Sequence, residues 1–192
     1  MCTWQLGDKL MTTYHDKEWG VPVVSDKKHF EFLILESFQA GLSWKTILHR
    51  RKGFQNAFAN FDCKKVSKFT SRDVAKLMKD EGIIRNRLKI EGAINNAKLF
   101  MDIQNEFGSF NKYIWQFVNN KPIINRIKEQ NKIPAISNES DEMAKDMKKR
   151  GFKFRGSTIC YAYMQAIGMV NDHLVSCPRY KEVNQLIKEF KL

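Results

Sequence analysis

The 192-residue sequence lacks any long apolar run, and this absence excludes a membrane-spanning helix. No run approaches the ~18 consecutive apolar residues that a helix across a bilayer needs. The first ten residues also lack the basic-then-apolar order of a secretory signal peptide. We therefore expect a cytoplasmic protein with no membrane partner, in a reducing compartment where the four cysteines are thiols or metal ligands and not disulfides.

Other sequence signatures are missing as well. No Walker or dinucleotide-binding glycine loop occurs, and Ser157-Thr158 lacks the context of a nucleophile elbow. No stretch alternates apolar and polar residues as a half-buried strand would, and there is no internal repeat or low-complexity tract. The sequence therefore predicts an all-α fold.

The composition indicates a globular protein with an anionic partner. Hydrophobic residues make up 43% and aromatic residues 12%, which is enough for a substantial core. The 33 Lys and Arg exceed the 21 Asp and Glu, giving a formal charge of +12. Such an excess favours a polyanion, with nucleic acid as the first candidate and an anionic membrane surface as the second.

Periodicity and capping residues place the helices. Residues 1–25 are irregular by pattern and rich in aromatics, and residues 119–138 are polar and predicted to be a flexible loop. Asp62, Thr70 and Ser140 are predicted to cap the helices that follow them. Helices are predicted over 26–38, 44–58, 62–69, 70–81, 85–107, 110–118, 141–150, 157–168 and 171–177, followed by a basic tail over 180–192.

The helix that begins at Asp26 carries a carboxylate where an apolar residue is expected. At 100° per residue, Glu36 shares a face with Phe32 and Leu33, while Glu31 lies opposite and can reach water. A buried carboxylate is unfavourable unless it has a partner, so Glu36 is either bonded within the core or faces a ligand. Both alternatives stay open on this stretch alone.

An aromatic group accompanies this carboxylate. Tyr14, Trp19 and Trp44, together with Glu36, are suited to bind a flat base between aromatic faces, as enzymes that act on an extruded base require. The same residues are equally compatible with a packed core.

Four residues near the two ends of the chain have the chemistry of a metal site. His173 and Cys177 are four residues apart, which places them on one face of a predicted helical turn. Cys2 and His15 complete a Cys₂His₂ set suited to a closed structural zinc site that would tie the N-terminal segment to the helix over 171–177. The spacing is not that of a standard zinc finger, and four unrelated residues remain the alternative.

The segment between two predicted helices, Gly151 to Gly156, has the form of a phosphate-binding hairpin. Lys153 and Arg155 lie within it, and the N-terminus of the next helix offers backbone N–H groups to a phosphate. The alternative is a solvated basic face between two ordinary helices.

Several strings together resemble the 3-methyladenine DNA glycosylase I family, within the helix–hairpin–helix DNA glycosylase superfamily. They occur in the family's order and lie between Cys2 and Cys177. The strings are YHDKEWGVP (14–22), LESFQAGLSW (35–44), GIIRNRLKI (82–90), KKRGFKFRGSTICYAYMQA (148–166) and VNDHLVSC (170–177).

The resemblance implies one all-α glycosylase domain over residues 1–192, with two helical lobes and a zinc clasp that joins the termini. It implies a monomer that acts on double-stranded DNA containing alkylated bases and releases free 3-methyladenine. The residues to which it assigns roles are Glu36 as the catalytic carboxylate, which also binds the base; Tyr14, Trp19 and Trp44 in the base pocket; Leu42 in the duplex gap; Lys153, Arg155 and Gly156 on the DNA backbone; and Cys2, His15, His173 and Cys177 on structural Zn²⁺.

Comparison with the wider superfamily implies a monofunctional enzyme. Members that also cleave the DNA strand carry a lysine two residues after the last hairpin glycine, where this chain has Thr158, so no lyase step is expected. The iron–sulfur cysteines of some relatives are absent. Asp172 lies near the usual catalytic aspartate, but we rank it as a weak candidate because it adjoins His173.

Two residues depart from the family pattern. Phe38 stands where smaller or polar residues are usual, and it could alter the pocket wall and admit another lesion, such as 7-methylguanine or 3-methylguanine. Asn120 replaces a histidine, with no expected effect on mechanism. A non-catalytic DNA-binding module, with the aromatics merely in the core, is the alternative of a different class.

Overall fold

The computed structural model describes residues 1–192, and almost all of its regular structure is helical, as predicted. The α-helices are α1 (Lys9–Lys17), α2 (Asp26–Gln39), α3 (Trp44–Leu48), α4 (Arg51–Ala57), α5 (Cys63–Val66), α6 (Ser71–Leu77), α7 (Arg87–Phe107), α8 (Phe110–Trp115), α9 (Asn138–Lys149), α10 (Ser157–Ala166) and α11 (Pro178–Glu189). Single 3₁₀ turns occupy Ala59–Phe61, Gln116–Val118 and Gln130–Lys132. None of the helices has the length and apolar character needed to cross a membrane.

Helix α2 lies at the centre of the molecule because it is apolar on nearly every face. It packs against α3, α4, α7, α8 and α10, so few of its side chains reach solvent. The surrounding helices each contribute one apolar face, and their buried side chains form one continuous cluster of 40 residues. Residues on α2 are thereby held in fixed positions relative to all these neighbours.

Two of the three predicted N-cap residues cap helices in the structure. Asp62 accepts a hydrogen bond from the backbone N–H of Lys65 and caps α5, and Thr70 forms the predicted capping box with Asp73. Asn86 caps α7, which begins at Arg87, two residues after the predicted start at residue 85. Gly108 ends α7 in the left-handed conformation, at φ 82°, which glycine adopts without strain.

Two predictions in the N-terminal third are wrong. The segment predicted to be irregular contains helix α1, capped by the Asp8 carboxylate, which accepts from the N–H groups of Leu10 and Met11. The single helix predicted over 44–58 is two helices, α3 and α4. Within α4, Gly53 lies so close to the backbone of Gly82 that an added Cβ would be 2.1 Å from the Gly82 oxygen, so this position requires glycine.

The C-terminal predictions also need correction. The helix over 171–177 does not exist: β2 (Val170–Asn171) pairs in parallel with β1 (Ile123–Ile124), and a loop follows. Pro178 requires extended backbone at the residue before it, and Cys177 is extended (φ −86°, ψ 133°). The helix therefore starts at Pro178, and α11 takes up most of the predicted basic tail.

Helix α9 likewise begins earlier than predicted. Its N-cap is Ser137, whose hydroxyl accepts from the backbone N–H of Ser140. The predicted cap, Ser140, instead lies in the first turn. Its Oγ accepts the second hydrogen bond of the capping box from the backbone N–H of Ser137. Two serines three residues apart both fit a cap, and only the path of the preceding chain distinguishes them.

Candidate functional site

A cavity of about 210 Å³ opens beside the C-terminal half of α2. Its volume is small for a ligand pocket and suits a single flat ring system. Helices α1, α2, α3 and α10 contribute to its wall, as does the long segment between α8 and α9. The lining residues are Trp4, Tyr14, Trp19, Glu36, Gln39, Trp44, Ile133, Ala162 and Gln165.

Glu36 is the only acidic residue of this lining. Its side chain is 2% exposed, and its Oε2 atom has no hydrogen-bond partner in the protein. Burial raises the pKa of Glu36 to about 8, and the positive charge of Arg155 opposes that shift. Glu31, on the opposite side of α2, is paired with Arg51 at 2.7 Å, as the helical wheel predicted for a residue outside the core. Of the two alternatives for Glu36, the structure favours a carboxylate that awaits a ligand.

The three predicted pocket aromatics come together around Glu36. The rings of Tyr14 and Trp44 are in contact at a tilt of 47°, with centroids 5.0 Å apart, and Trp19 also lines the cavity. Burial raises the pKa of Tyr14 well above its ordinary value, so its hydroxyl is neutral. The indole Nε1 of Trp44 is buried and has no acceptor in the protein. The wall therefore combines aromatic faces with a free donor and a free acceptor.

Sequence reasoning missed several lining residues. Trp4 packs edge-on against Trp19 at 5.2 Å, and Ile133 reaches the cavity from the segment predicted to be a flexible loop. Their positions follow only from the fold. Gln165 carried a usable signal, because it is a polar residue in the largely apolar helix α10, just as Glu36 is in α2.

Asp172 lies behind this wall, not in it. Its carboxylate accepts hydrogen bonds from Tyr161 Oη at 2.8 Å, Gln165 Nε2 at 2.8 Å and Asn125 Nδ2 at 2.6 Å. These three donors fix the carboxylate in place and orient the amide of Gln165. Asp172, which ranked as a weak catalytic candidate in the sequence, therefore does not line the cavity.

Phe38 does not line the cavity, so the expectation that it alters the pocket wall is wrong. Its side chain is fully buried on another face of α2, where it packs edge-on against Phe54 at 4.7 Å and Phe58 at 5.8 Å. Phe38 is thus part of the core between α2 and α4, and the structure gives no reason to connect it with ligand choice.

The loop after α2 presents an apolar side chain to solvent. Gly41 has φ 77°, which turns the chain sharply, and Leu42 is 41% exposed. Ser43 then caps α3 and returns Trp44 to the cavity. Leu42 is therefore exposed and outside the cavity lining, and its role in the duplex gap stays a prediction.

The hairpin between α9 and α10 is held by amide side chains of α7. The backbone N–H of Lys153 donates to Asn96 Oδ1 at 2.8 Å, while Asn96 Nδ2 donates to the Lys153 carbonyl at 3.0 Å. The Lys153 side chain is exposed, and Gly156 is the exposed N-cap of α10. Both residues are accessible to a phosphate.

Arg155 departs from the sequence-based expectation of a surface DNA contact. Its side chain is 4% exposed and extends inward, where Nη2 donates to the Leu33 carbonyl at 2.7 Å and to Ser37 Oγ at 3.2 Å. Spacing within the hairpin could not reveal this direction, because it depends on the gap between α10 and α2.

Cys2, His15, His173 and Cys177 converge in one buried cluster. Their ligand atoms all lie within 4.8 Å of one another, so the predicted grouping is found although the predicted helical turn is not. His173 Nδ1 lies 3.1 Å from His15 Nε2, and Cys177 Sγ lies 3.7 Å and 3.9 Å from those two atoms. Ligands around a tetrahedral Zn²⁺ are roughly 3.3–3.8 Å apart, so the set fits such an ion.

The second nitrogen of each histidine supports the same role. His173 Nε2 donates to the Trp19 carbonyl at 3.0 Å, and His15 Nδ1 lies 2.7 Å from Asp16 Oδ1. Each ring is thus oriented with its other nitrogen towards the cluster, the arrangement usual for metal-binding histidines. Burial lowers the pKa of His173 to about 4, so this ring is neutral, as a ligand must be.

Comparisons with known proteins agree with this geometry. The sequence profile of the family described as methyladenine glycosylase matches residues 4–180. DNA-3-methyladenine glycosylase 1 of Escherichia coli is 45% identical over 179 residues, which cover 93% of this chain and 96% of that protein. A crystal structure of a 3-methyladenine DNA glycosylase I has a TM-score of 0.90 at 44% identity, covering 92% of this chain and 97% of the other. A variant of such an enzyme in complex with 3-methyladenine has a TM-score of 0.89 at 34% identity, covering 92% and 95%.

Proposed function

Because the chain belongs to the methyladenine glycosylase family, we propose that it hydrolyses the N-glycosidic bond of 3-methyladenine in alkylated double-stranded DNA. The products are free 3-methyladenine and an abasic site. The observation that carries this proposal is the Glu36 carboxylate, buried in an aromatic cavity with an oxygen that no protein group bonds. A cationic base extruded from the duplex supplies the missing partner.

Recognition in this cavity rests on charge and stacking. Tyr14, Trp19 and Trp44 supply the aromatic wall against which the flipped base stacks. Methylation at N3 makes the adenine cationic, so an ionised Glu36 forms a charge-assisted hydrogen bond with it that an unmodified, neutral adenine does not offer. The cavity therefore selects the lesion by its charge as well as by its shape.

Hydrolysis needs little proton transfer, because a cationic base is already a good leaving group. As the bond breaks, positive charge moves to the sugar, and the nearby DNA phosphates stabilise it if the backbone is held in place. Lys153 and the N-terminus of α10 at Gly156 provide that hold. Glu36 also lies where it can orient the attacking water, which gives it the catalytic role.

Leu42 fills the space that the extruded nucleotide leaves in the duplex. An apolar side chain inserted between base steps maintains the unstacked state while the base occupies the pocket. Its exposure and the sharp turn at Gly41 support this assignment.

The enzyme is monofunctional in this proposal. A lyase step requires an amine that forms a Schiff base with the sugar. Thr158 occupies the second position of α10, and the cavity lining contains no lysine.

Zn²⁺ is proposed as a structural cofactor at Cys2, His15, His173 and Cys177. A metal bound by four protein ligands has no open position for a reactive water, so the ion would stabilise folding and not catalyse. The cluster connects the segment before α1 with the loop before α11. Trp19 links the cluster to the cavity, because its carbonyl accepts a hydrogen bond from His173 and its side chain lines the cavity.

We further propose that residues 1–192 work as one two-lobed glycosylase domain, as a monomer, in the cytoplasm. The continuous core supports the single domain, since no break divides the buried residues into separate large clusters. A monomer suits an enzyme that must approach one extruded base at a time.

The test is chromatographic measurement of bases released from methylated DNA by the parent protein and by Glu36→Gln. We expect the parent to release 3-methyladenine and Glu36→Gln to release it at least about a hundredfold more slowly while still binding duplex DNA. Glu31→Gln, on the same helix but outside the cavity, is the matched control and should retain the parental rate. Binding of DNA by the parent without release of any base would instead support a non-catalytic DNA-binding module.

A further inference from the structure

Arg155 is a buried cation that the proposed reaction does not yet use. It lies within the hairpin that we assign to the DNA backbone, yet its guanidinium is inserted between α10 and α2 and stacks over the Tyr163 ring at 5.2 Å. A buried guanidinium is unfavourable unless its charge and its donors find partners. What compensates Arg155 therefore indicates what it does.

The hydrogen bonds of Arg155 are incomplete. Nη2 is bonded to the Leu33 carbonyl and to Ser37 Oγ, while Nε and Nη1 are buried and have no partner in the protein. Leu33 and Ser37 are about one turn apart on α2, and Glu36 lies between them in the chain. The guanidinium thus lies against the segment of helix that presents the pocket carboxylate.

No carboxylate forms an ion pair with Arg155. Glu36, which α2 carries between Leu33 and Ser37, is likewise buried with an unbonded oxygen, and the positive charge of Arg155 opposes the rise in the pKa of Glu36 that burial causes. The other titratable groups that face Glu36 are the hydroxyls of Tyr14 on α1 and Tyr163 on α10, and both are neutral because burial raises the pKa of each well above its ordinary value. From α7, Lys89 directs its ammonium to the Phe38 and Ala40 carbonyls and not to Glu36.

We propose that Arg155 is a positioning residue for base excision: from inside the hairpin it braces α2 at Leu33 and Ser37 and holds a positive charge against the turn that carries Glu36. The proposal rests on the proposed function in that Glu36 is the group that meets the cationic base. Arg155 also connects the hairpin with the helix that carries the pocket carboxylate, since it belongs to the hairpin and bonds α2.

Loss of the Arg155 charge should change the pH dependence of base release. An opposite charge nearby favours the ionised form of a carboxylate, so its removal raises the pH at which Glu36 ionises. In Arg155→Gln, which keeps an amide donor for Leu33 and Ser37 but not the charge, we expect the acidic limb of kcat/KM to move up by about one pH unit or more. In Arg155→Lys, which keeps the charge, the limb should stay near that of the parent.

The experiment measures kcat/KM for base release from methylated duplex DNA between pH 5 and pH 10 for the parent and both variants. Lys153→Met is the matched control: it removes an exposed charge from the same hairpin and should weaken DNA binding without moving the acidic limb. A uniform loss of rate in Arg155→Gln with the limb unmoved would show that Arg155 only supports the fold. If Arg155→Gln does not fold, Arg155→Met takes its place with the same expected shift.

A second measurement separates this proposal from the proposed function. Carboxyl ¹³C NMR titration of Glu36 in the free protein, assigned with Glu36→Gln, reports its ionisation without any substrate. A higher midpoint in Arg155→Gln than in the parent supports the role of Arg155 even if the parent releases no 3-methyladenine. Equal midpoints overturn it even if the parent is an active glycosylase.

Discussion

Lys89 of α7 donates a hydrogen bond from Nζ to the backbone carbonyl of Phe38, 2.8 Å away at the C-terminal end of α2. It also bonds the Ala40 carbonyl, the last before the turn that carries Leu42. Two turns further along α7, Asn96 bonds the backbone of the hairpin at Lys153. One helix thus holds both elements assigned to DNA, about 10 Å apart along its axis.

Lys89→Met should destabilise the protein and displace the Leu42 loop. The buried Phe38 carbonyl and the half-buried Ala40 carbonyl lose their donor, so we expect the free energy of unfolding to fall by about 1–3 kcal/mol in a denaturant titration. Base release should fall as well, because Leu42 and Trp44 come shortly after Ala40 in the chain and would shift when its carbonyl is released. Lys98→Met, an exposed site on the same helix, should leave both quantities unchanged. A normal rate in Lys89→Met would show that the loop needs no such support.

Glu36 should make the free protein less stable as the pH rises. Its pKa is about 8 in the folded protein against an ordinary value of 4.5, so the folded state holds this proton more tightly than the unfolded state does. The contribution of Glu36 to the free energy of unfolding is fully present below pH 4.5 and is lost as the pH rises through about 8. Urea unfolding from pH 4 to pH 9 should show Glu36→Gln gaining a few kcal/mol relative to the parent. Parallel stability profiles for the two proteins would contradict a carboxyl buried in this way.

Removal of the proposed zinc should loosen the joined ends of the chain. We expect elemental mass spectrometry to find one zinc ion per chain in the parent and little in Cys177→Ser. The Tm should fall by about 5–10 °C on chelation or substitution, since the metal would join two segments that are 158 residues apart at the two histidines. Cys63→Ser, outside the cluster, serves as the control. Absence of zinc from protein purified without chelators would remove the metal site from the proposal.

Asp172→Asn should affect stability more than catalysis. The carboxylate of Asp172 accepts from three donors, on Tyr161, Gln165 and Asn125. The NH₂ group of an asparagine is itself a donor, so one of these three hydrogen bonds would be lost. We expect a loss of about 1–3 kcal/mol of unfolding free energy, with base release within about tenfold of the parent. A drop as large as that expected for Glu36→Gln, in a protein that is still folded, would make Asp172 a catalytic residue.

The proposed base pocket was largely predictable because Glu36 is a charged residue where the helical pattern calls for an apolar one. A carboxylate on the apolar face of α2 stands out from the sequence alone, and the family resemblance implied the role proposed for it. Gln165 breaks the same rule on α10 and could have been found in that way. Trp4 and Ile133 could not, since nothing in their neighbourhoods indicates that the N-terminal segment and the loop before α9 meet over the cavity.

Periodicity, caps and residue chemistry are local properties, so the sequence alone was enough to predict the helical class, many helix ends and the four residues of the Cys/His cluster. The directions of side chains and the breaks in a helical pattern depend on tertiary packing. It placed Arg155 beneath α2 instead of on the DNA-facing surface, Phe38 in the core away from the cavity, and His173 with Cys177 on a loop ahead of Pro178. Each of these depends on contacts between residues distant in the chain, such as the approach of α10 to α2, and spacing along the sequence does not record them.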